Sequence, residues 1–260
     1  MYKLKDFLSL LEQYAPLEIS RKAIESGDYD NSGIIVNSHD QVNSVLFTLD
    51  LSVDAVKAAI KLNADTVVTH HPAIYNPIKS LDKDGDTAAL LLAVENHLNV
   101  VSMHLNLDMA SLGIDHYLAK GLGGENTKIL QPLSGLENGY GREFSVNCDA
   151  EKIKQRAEEV FGSKKIILYG LGAVEKAASF CGGGSGHALD AVEKGETNAD
   201  LIITSDVPHH VLKELIERGK KVMIIPHYVS EQYGFNKFYE WTLDNLKGLK
   251  AYYFEDKRFM

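Results

Sequence analysis

Short runs of β-branched and aliphatic residues alternate along this chain with segments whose apolar residues recur at helical spacing. That alternation admits few architectures, because strands joined through helices build α/β sheets with helices on their faces. In the first half the expected strands cover 42–50, 65–70 and 98–104. The helix expected over 52–63 opens on Ser52 as N-cap and carries Val53, Val56, Ala59 and Ile60 on one face. Further helices are expected over 86–98 and 113–123, the latter ending at Gly123. Residues 125–142 are rich in Gly, Asn, Ser and Pro and read as a boundary. Beyond them come strands at 143–148, 164–170, 176–181, 200–205 and 221–227, and helices at 150–161, 187–195, 208–218 and 231–246. A closing strand, at a sheet edge, is expected over 251–256. The expected fold class is α/β: two related α/β domains, 1–124 and 125–260, with mixed, partly parallel sheets flanked by helices. The C-terminal helix and strand are free to pack back on the first domain.

A repeat strengthens the two-domain reading. NADTVVTHHPA begins at Asn63 and NADLIITSDVPHH at Asn198, and each places Asn-Ala-Asp before an aliphatic strand and a polar cluster after it. The next strand in each half ends in a histidine with a carboxylate four residues on: His104 with Asp108, and His227 with Glu231. In a parallel sheet the carboxyl ends of neighbouring strands form the functional edge. His70, His71, His104, Asp108, His227 and Glu231 all follow expected strand ends.

Imidazoles and carboxylates without thiolates suit Zn, Fe, Mn or Ni rather than a structural zinc finger. Six candidate donors exceed what one tetrahedral ion needs, so they suit a two-metal site, with one carboxylate bridging ions about 3.5–4 Å apart. At a strand end, adjacent side chains point to opposite sides, so His70 and His71 are expected to reach different ions, with Pro72 stiffening the turn. Taken alone, a His-His pair or a His-x-x-x-carboxylate is an ordinary surface, core or capping feature; only the shared fold position lends them weight. His39, His97, His116 and His187 lack such a setting and read as structural, whereas His209 and His210 follow a strand end in the second half.

Composition removes other classes. A net charge of −9 argues against non-specific binding to nucleic acid or an anionic membrane. No apolar run reaches the roughly 20 residues of a membrane span. Asp6 and Glu12 interrupt the apolar N-terminal stretch, which reads as a surface helix carrying Leu4, Phe7, Leu8 and Leu11 rather than as a signal peptide. Two cysteines, Cys148 and Cys181, are consistent with a cytoplasmic location. Cys181 opens CGGGSG, a turn that either offers backbone N–H groups to a phosphate or is glycine-rich so that backbone packs closely. A buried structural thiol is the plainer reading of Cys181 than a nucleophile at a helix terminus.

DNSGIIV (30–36), TLDLS (48–52), NADTVVTHHPAIYNPIKSL (63–81), HLNLD (104–108), CGGGSG (181–186), NADLIITSD (198–206) and HYVSE (227–231) follow one another in an order that resembles the NIF-three-like proteins, known as GTP cyclohydrolase 1 type 2 homologues. The resemblance spans nearly the whole chain. It implies paired α/β domains in a ring-shaped homohexamer, a trimer of dimers, with a dinuclear metal site facing the cavity. It places His70, His71, Asp108, His227 and Glu231 at the metal-ligand positions, with Glu231 bridging, and His104 at a further site histidine. Leu105, Pro226 and Ser230 stand where the family pattern commonly has Thr, Gly and Thr, so hydrogen bonding around the site is expected to differ. The chain lacks the long domain inserted in larger members.

The function expected is that of a metal-dependent hydrolase of a nucleotide or small heterocycle using two divalent ions, with His104 and His210 as candidate proton carriers. The alternative is a non-enzymatic metal carrier or a ring-forming adaptor. A third reading, an α/β ligand-binding protein whose histidines hold no metal, is weaker.

Overall fold

Two wholly buried runs of β-branched and aliphatic side chains, Thr66–Thr69 and Leu201–Thr204, each lie in the interior of a sheet. Strands buried on both faces read as continuous apolar runs, which is why these two were visible in the sequence. The computed structural model describes residues 1–260 and forms two units, Met1–Leu107 with Phe238–Asp256, and Asp108–Lys237 with Lys257–Met260.

The first unit runs β1 (Tyr2–Lys3), α1 (Leu4–Leu11), α2 (Leu17–Glu25), β2 (Gly33–Val36), β3 (Gln41–Val42), β4 (Ser44–Thr48), α3 (Val53–Lys61), β5 (Thr66–Thr69), α4 (Ala88–Glu95) and β6 (Asn99–Ser102). α5 (Leu105–Met109) follows, and the unit boundary falls inside it. Strands β4, β5 and β6 are parallel, and β2 lies antiparallel on the outer edge of β6. Ser52 does cap α3, its hydroxyl accepting from Ala55 N at 3.1 Å, and Ala55, Val56 and Ala59 face the core. Leu4, Phe7 and Leu11 bury one face of α1, as its helical spacing predicts.

The second unit runs α6 (Ile114–Gly121), β7 (Glu125–Pro132), β8 (Gly139–Asp149), α7 (Ala150–Phe161), β9 (Ile167–Tyr169), β10 (Ala173–Ser179), α8 (Ser185–Glu193), β11 (Leu201–Thr204), α9 (His209–Glu217), β12 (Lys221–Ile224) and the start of α10 (His227–Asn245). Its six strands lie in the order β7-β8-β10-β11-β12-β9. β10, β11 and β12 are parallel, and β9 is antiparallel on β12. The later part of α10 and β13 (Lys250–Tyr253) belong to the first unit, where β13 adds a parallel edge strand to β4.

Two expectations need correction. Residues 125–142 are not an irregular linker: they form β7 and the beginning of β8, an antiparallel pair. Seven of the eight β7 residues are at least partly exposed, only Leu130 being buried, so the strand lacks the apolar signature by which its neighbours were read. The unit boundary accordingly falls at Leu107/Asp108 rather than at 124/125, and Asp108 belongs to the second unit. The cause is α6, which packs on β8, β10 and α7 and draws the preceding residues with it.

Candidate functional site

In the first unit the donors follow β5 and β6. The amides of His70 and His71 both donate to the carbonyl of Leu49, at 3.1 and 3.0 Å, so the chain turns tightly as it leaves β5. The two rings therefore do not diverge to opposite sides as an extended strand would require. Their centroids lie 4.8 Å apart, and His104 joins them at 5.2 Å from His70 and 5.8 Å from His71. One ligand atom from each of the three lies within 4.8 Å of the others.

Each imidazole is held through the same nitrogen. Nδ1 of the fully buried His70 meets the carbonyl oxygen of Met103 at 2.8 Å, Nδ1 of His71 meets Asp50 at 2.8 Å, and Nδ1 of His104 meets Asp30 at 2.7 Å. A carbonyl or carboxylate acceptor at Nδ1 fixes the tautomer and ring orientation and makes Nε2 the more basic ligand atom. Asp30 is itself fixed by the hydroxyls of Ser20 and Ser32. Burial pushes its carboxyl up, but hydrogen bonds from His104, Ser20 and Ser32 outweigh it and bring the pKa down to about 2.

The second unit supplies mostly carboxylates. Asp108, on α5, is buried, and so is Glu231, one turn into α10; they bring carboxylate oxygens within 4.8 Å of each other. His227 begins α10, where Nδ1 meets Asp206 and Nε2 lies 3.0 Å from Glu231 Oε1. Cys181 donates its thiol to Asp108 Oδ1 at 3.4 Å. Burial, then the charges of Asp108, Asp115 and Glu231, push that thiol well above its ordinary pKa, so it stays a thiol. A nucleophilic Cys181 needs the opposite environment.

The glycine-rich turn now has a physical account. A Cβ on Gly182 would lie 2.2 Å from Glu231 Oε1 and 3.1 Å from His227 Nε2, and the residue holds φ +55°. The backbone lies against the carboxylate with no room for a side chain, so Gly182 is there for close packing and for its left-handed conformation. The Gly182 amide also donates to Ser230 Oγ at 3.1 Å, and that hydroxyl meets Ser205 at 3.1 Å. Ser230, where the family pattern commonly has Thr, thus keeps a hydroxyl in a bonded position.

His210 is exposed on the first turn of α9 and is not among the clustered donors. His97 ends α4 in a left-handed conformation, and His187 bonds Gln131, in keeping with structural roles. Sequence reasoning missed Asp30, Asp50 and Asp206, the carboxylates behind the histidines. The only signal was their presence in DNSG, TLDLS and TSD, motifs to which no role had been attached.

These features define a class: a two-unit α/β protein whose candidate metal-binding side chains follow the carboxyl ends of parallel strands. The chain belongs to the Duf34/NIF3 (NGG1p interacting factor 3) family, whose model matches residues 2–255. It is 27% identical over 238 residues to the GTP cyclohydrolase 1 type 2 homolog of Clostridium acetobutylicum, covering 88% of this chain and 85% of that protein. Reduced HcgD from Methanocaldococcus jannaschii shares the structure at a TM-score of 0.81 and 27% identity, over 98% of each chain. A Bacillus cereus protein related to NIF3 matches at a TM-score of 0.84 over 98% of this chain and 97% of its own, a likeness of fold alone at 16% identity. No helix is long and apolar enough to cross a membrane.

Proposed function

We propose that His70, His71, Asp108, His227 and Glu231 would hold two divalent ions drawn from Zn, Fe, Mn and Ni, and that the protein hydrolyses a nucleotide or small heterocyclic substrate. The observation that carries this reading is the shared anchoring of the histidines. The three ligand imidazoles, His70, His71 and His227, each engage an oxygen acceptor through Nδ1, which turns Nε2 towards a metal, the arrangement metal-binding histidines adopt. The donor set of imidazole and carboxylate fits ions of this group.

Two divalent ions held there would supply Lewis acidity, lowering the pKa of water towards about 7 and polarising the bond to be cleaved. The chain's own residues prepare that chemistry. Asp50 and Asp206 orient His71 and His227, and Gly182 leaves room for the Glu231 carboxylate. Cys181 donates to Asp108 and turns its Oδ1. His104, 14% exposed and backed by Asp30, is the group best placed to hold or move a proton; the exposed His210 has no such setting. The clostridial relative's name, GTP cyclohydrolase 1 type 2 homolog, favours a purine nucleotide among the candidate substrates. We propose in addition that the chain assembles as a ring-shaped homohexamer, which light scattering on the purified protein tests directly.

Elemental analysis of untagged protein purified without chelator tests the metal reading. About two transition-metal ions per chain are expected, and the His71→Ala/Asp108→Ala double variant should lose them. Wild-type protein that is metal-free and cannot be reloaded would sink the proposal. Stoichiometric release of metal to an acceptor, with no turnover of any nucleotide, would show a carrier instead of a hydrolase.

A further inference from the structure

Beside the histidine trio stands an aromatic pair that the metal reading does not use. Tyr75 lies four residues after His71, and its ring centroid is 6.1 Å from that of His104 with the planes at 89°. Tyr29 meets Tyr75 edge-on at 4.8 Å and 74°. Tyr75 remains 44% exposed and Tyr29 48%, a large apolar area to leave beside a polar cluster.

The pair is held in place. Asn31 Nδ2 donates to the carbonyl of Ile74 at 2.7 Å, the Tyr29 hydroxyl donates to the carbonyl of Tyr75, and the Tyr75 hydroxyl donates back to the carbonyl of Tyr29 at 3.5 Å. Two segments far apart in sequence therefore clamp each other around two exposed rings. Such preorganisation lowers the ordering cost of binding against them. Burial first, then the charges of Asp30, Tyr29 and Asp28, raise the Tyr75 phenol, so the wall presents an uncharged aromatic ring.

We propose that Tyr75, braced by Tyr29, is the platform on which the planar heterocycle of the substrate stacks, next to His70, His71 and His104. The inference rests on the heterocyclic substrate proposed above and assigns which residue selects it. Stacking is tolerant of ring identity because every base offers a π-face. The site therefore discriminates planar aromatic rings from sugars more sharply than one purine from another.

The test is calorimetric titration of the full-length protein, as purified, with guanosine and with ribose 5-phosphate, alongside elemental analysis of every variant. Guanosine should bind at least about tenfold more tightly than ribose 5-phosphate, and Tyr75→Ala and Tyr75→Leu should each weaken it about tenfold or more. Tyr75→Phe, which keeps the ring, should stay within about twofold. Metal content should not change in any of the three. The proposal is overturned if Tyr75→Ala and Tyr75→Leu bind guanosine like the wild type, or if the wild type does not prefer guanosine to ribose 5-phosphate. Absence of metal from the wild type would defeat the dinuclear reading alone, because the ring preference and its dependence on Tyr75 are read separately.

Discussion

The two units share a frame and differ at the ends of its strands. In the first, β2 lies antiparallel on the outer side of the last of three parallel strands, β4, β5 and β6; in the second, β9 lies in the same way on β10, β11 and β12. Their registers correspond: Phe47 pairs with Val68 in one unit, and Ser179 with Ile203 in the other. Followed along that register, Asp50 in the first unit stands where Gly182 stands in the second, and His70-His71 where Ser205-Asp206 stand. The pairing of an acid with a histidine is kept but moved over by one strand. After β4, Asp50 holds His71 from the end of β5; after β11, Asp206 holds His227 from the end of β12. The frame is preserved where ladder hydrogen bonds demand it, and chemistry diverges at the strand ends, where no ladder constrains the side chain.

Exchanging features between the units should break this correspondence most visibly at Gly182. An acidic side chain is accommodated at the equivalent position in the first unit, yet Gly182→Ala should destabilise the protein by about 2–4 kcal/mol, combining a left-handed alanine with overpacking against Glu231. Urea unfolding reads the loss, and elemental analysis should show metal content falling as the carboxylate is displaced. A variant as stable as the wild type would mean that Glu231 relaxes freely and that the turn does not position it.

How much of this was legible in the sequence follows from the same contrast. The central strands were visible because burial on both faces leaves continuous runs such as Val67-Val68 and Ile202-Ile203. α7 was read at its observed bounds because Ala150, Ile153, Ala157 and Phe161 repeat at helical spacing and Gly162 ends it in a left-handed turn. β7 was hidden by its partly exposed faces, and β2 and the short α5 carry too few residues to set a period. The donors were legible as residue types at strand ends, but their phase was not. His104 and His227 both precede a carboxylate by four residues, yet Met103 N bonds Thr69 O and Ile225 N bonds Thr204 O, so Pro226, not His227, is the register equivalent of His104. A shift of one residue at the start of a helix turns a side chain by about 100°. The acceptors behind the histidines lie 21 and 74 residues away, a separation no local pattern encodes.

The buried acids sharpen the comparison through pH. Asp30, in the first unit, is held at about 2; Asp115, in the second, is pushed up to about 6 by burial, which outweighs Arg142 and the amides of Gly141 and Cys181. Below its unfolded value, a depressed acid contributes stability that disappears as pH falls. Asp30→Asn in metal-free protein should thus cost about 2 kcal/mol at pH 6, and the gap to the wild type should close between pH 4 and pH 2. Asp115 has the opposite sign. Its raised pKa favours the folded state more at low pH, so its contribution declines as pH rises from about 4 to about 6. Asp115→Asn should flatten that decline in a urea series across this window. Parallel pH profiles for both variants would show that the two acids are not tuned in opposite directions.

The smallest effect addresses the shared frame itself. Asp65 and Asp200 close the two Asn-Ala-Asp segments, and each accepts from the amide at the start of the neighbouring strand: Asn43 N at 2.8 Å in the first unit, Glu175 N at 2.9 Å in the second. Each sits partly exposed at a sheet margin, so Asp65→Asn and Asp200→Asn should cost about 1 kcal/mol apiece, the size of a single hydrogen bond. Global unfolding barely separates such values from error, but amide hydrogen exchange does so locally. Exchange at Asn43 should quicken only in Asp65→Asn, and at Glu175 only in Asp200→Asn, by similar factors. If one amide responds and the other does not, the repeated tripeptide is a likeness of letters. If both respond alike, the same acid performs the same task at the same point of two sheets, and the divergence between the units is confined to the strand ends where their chemistry lies.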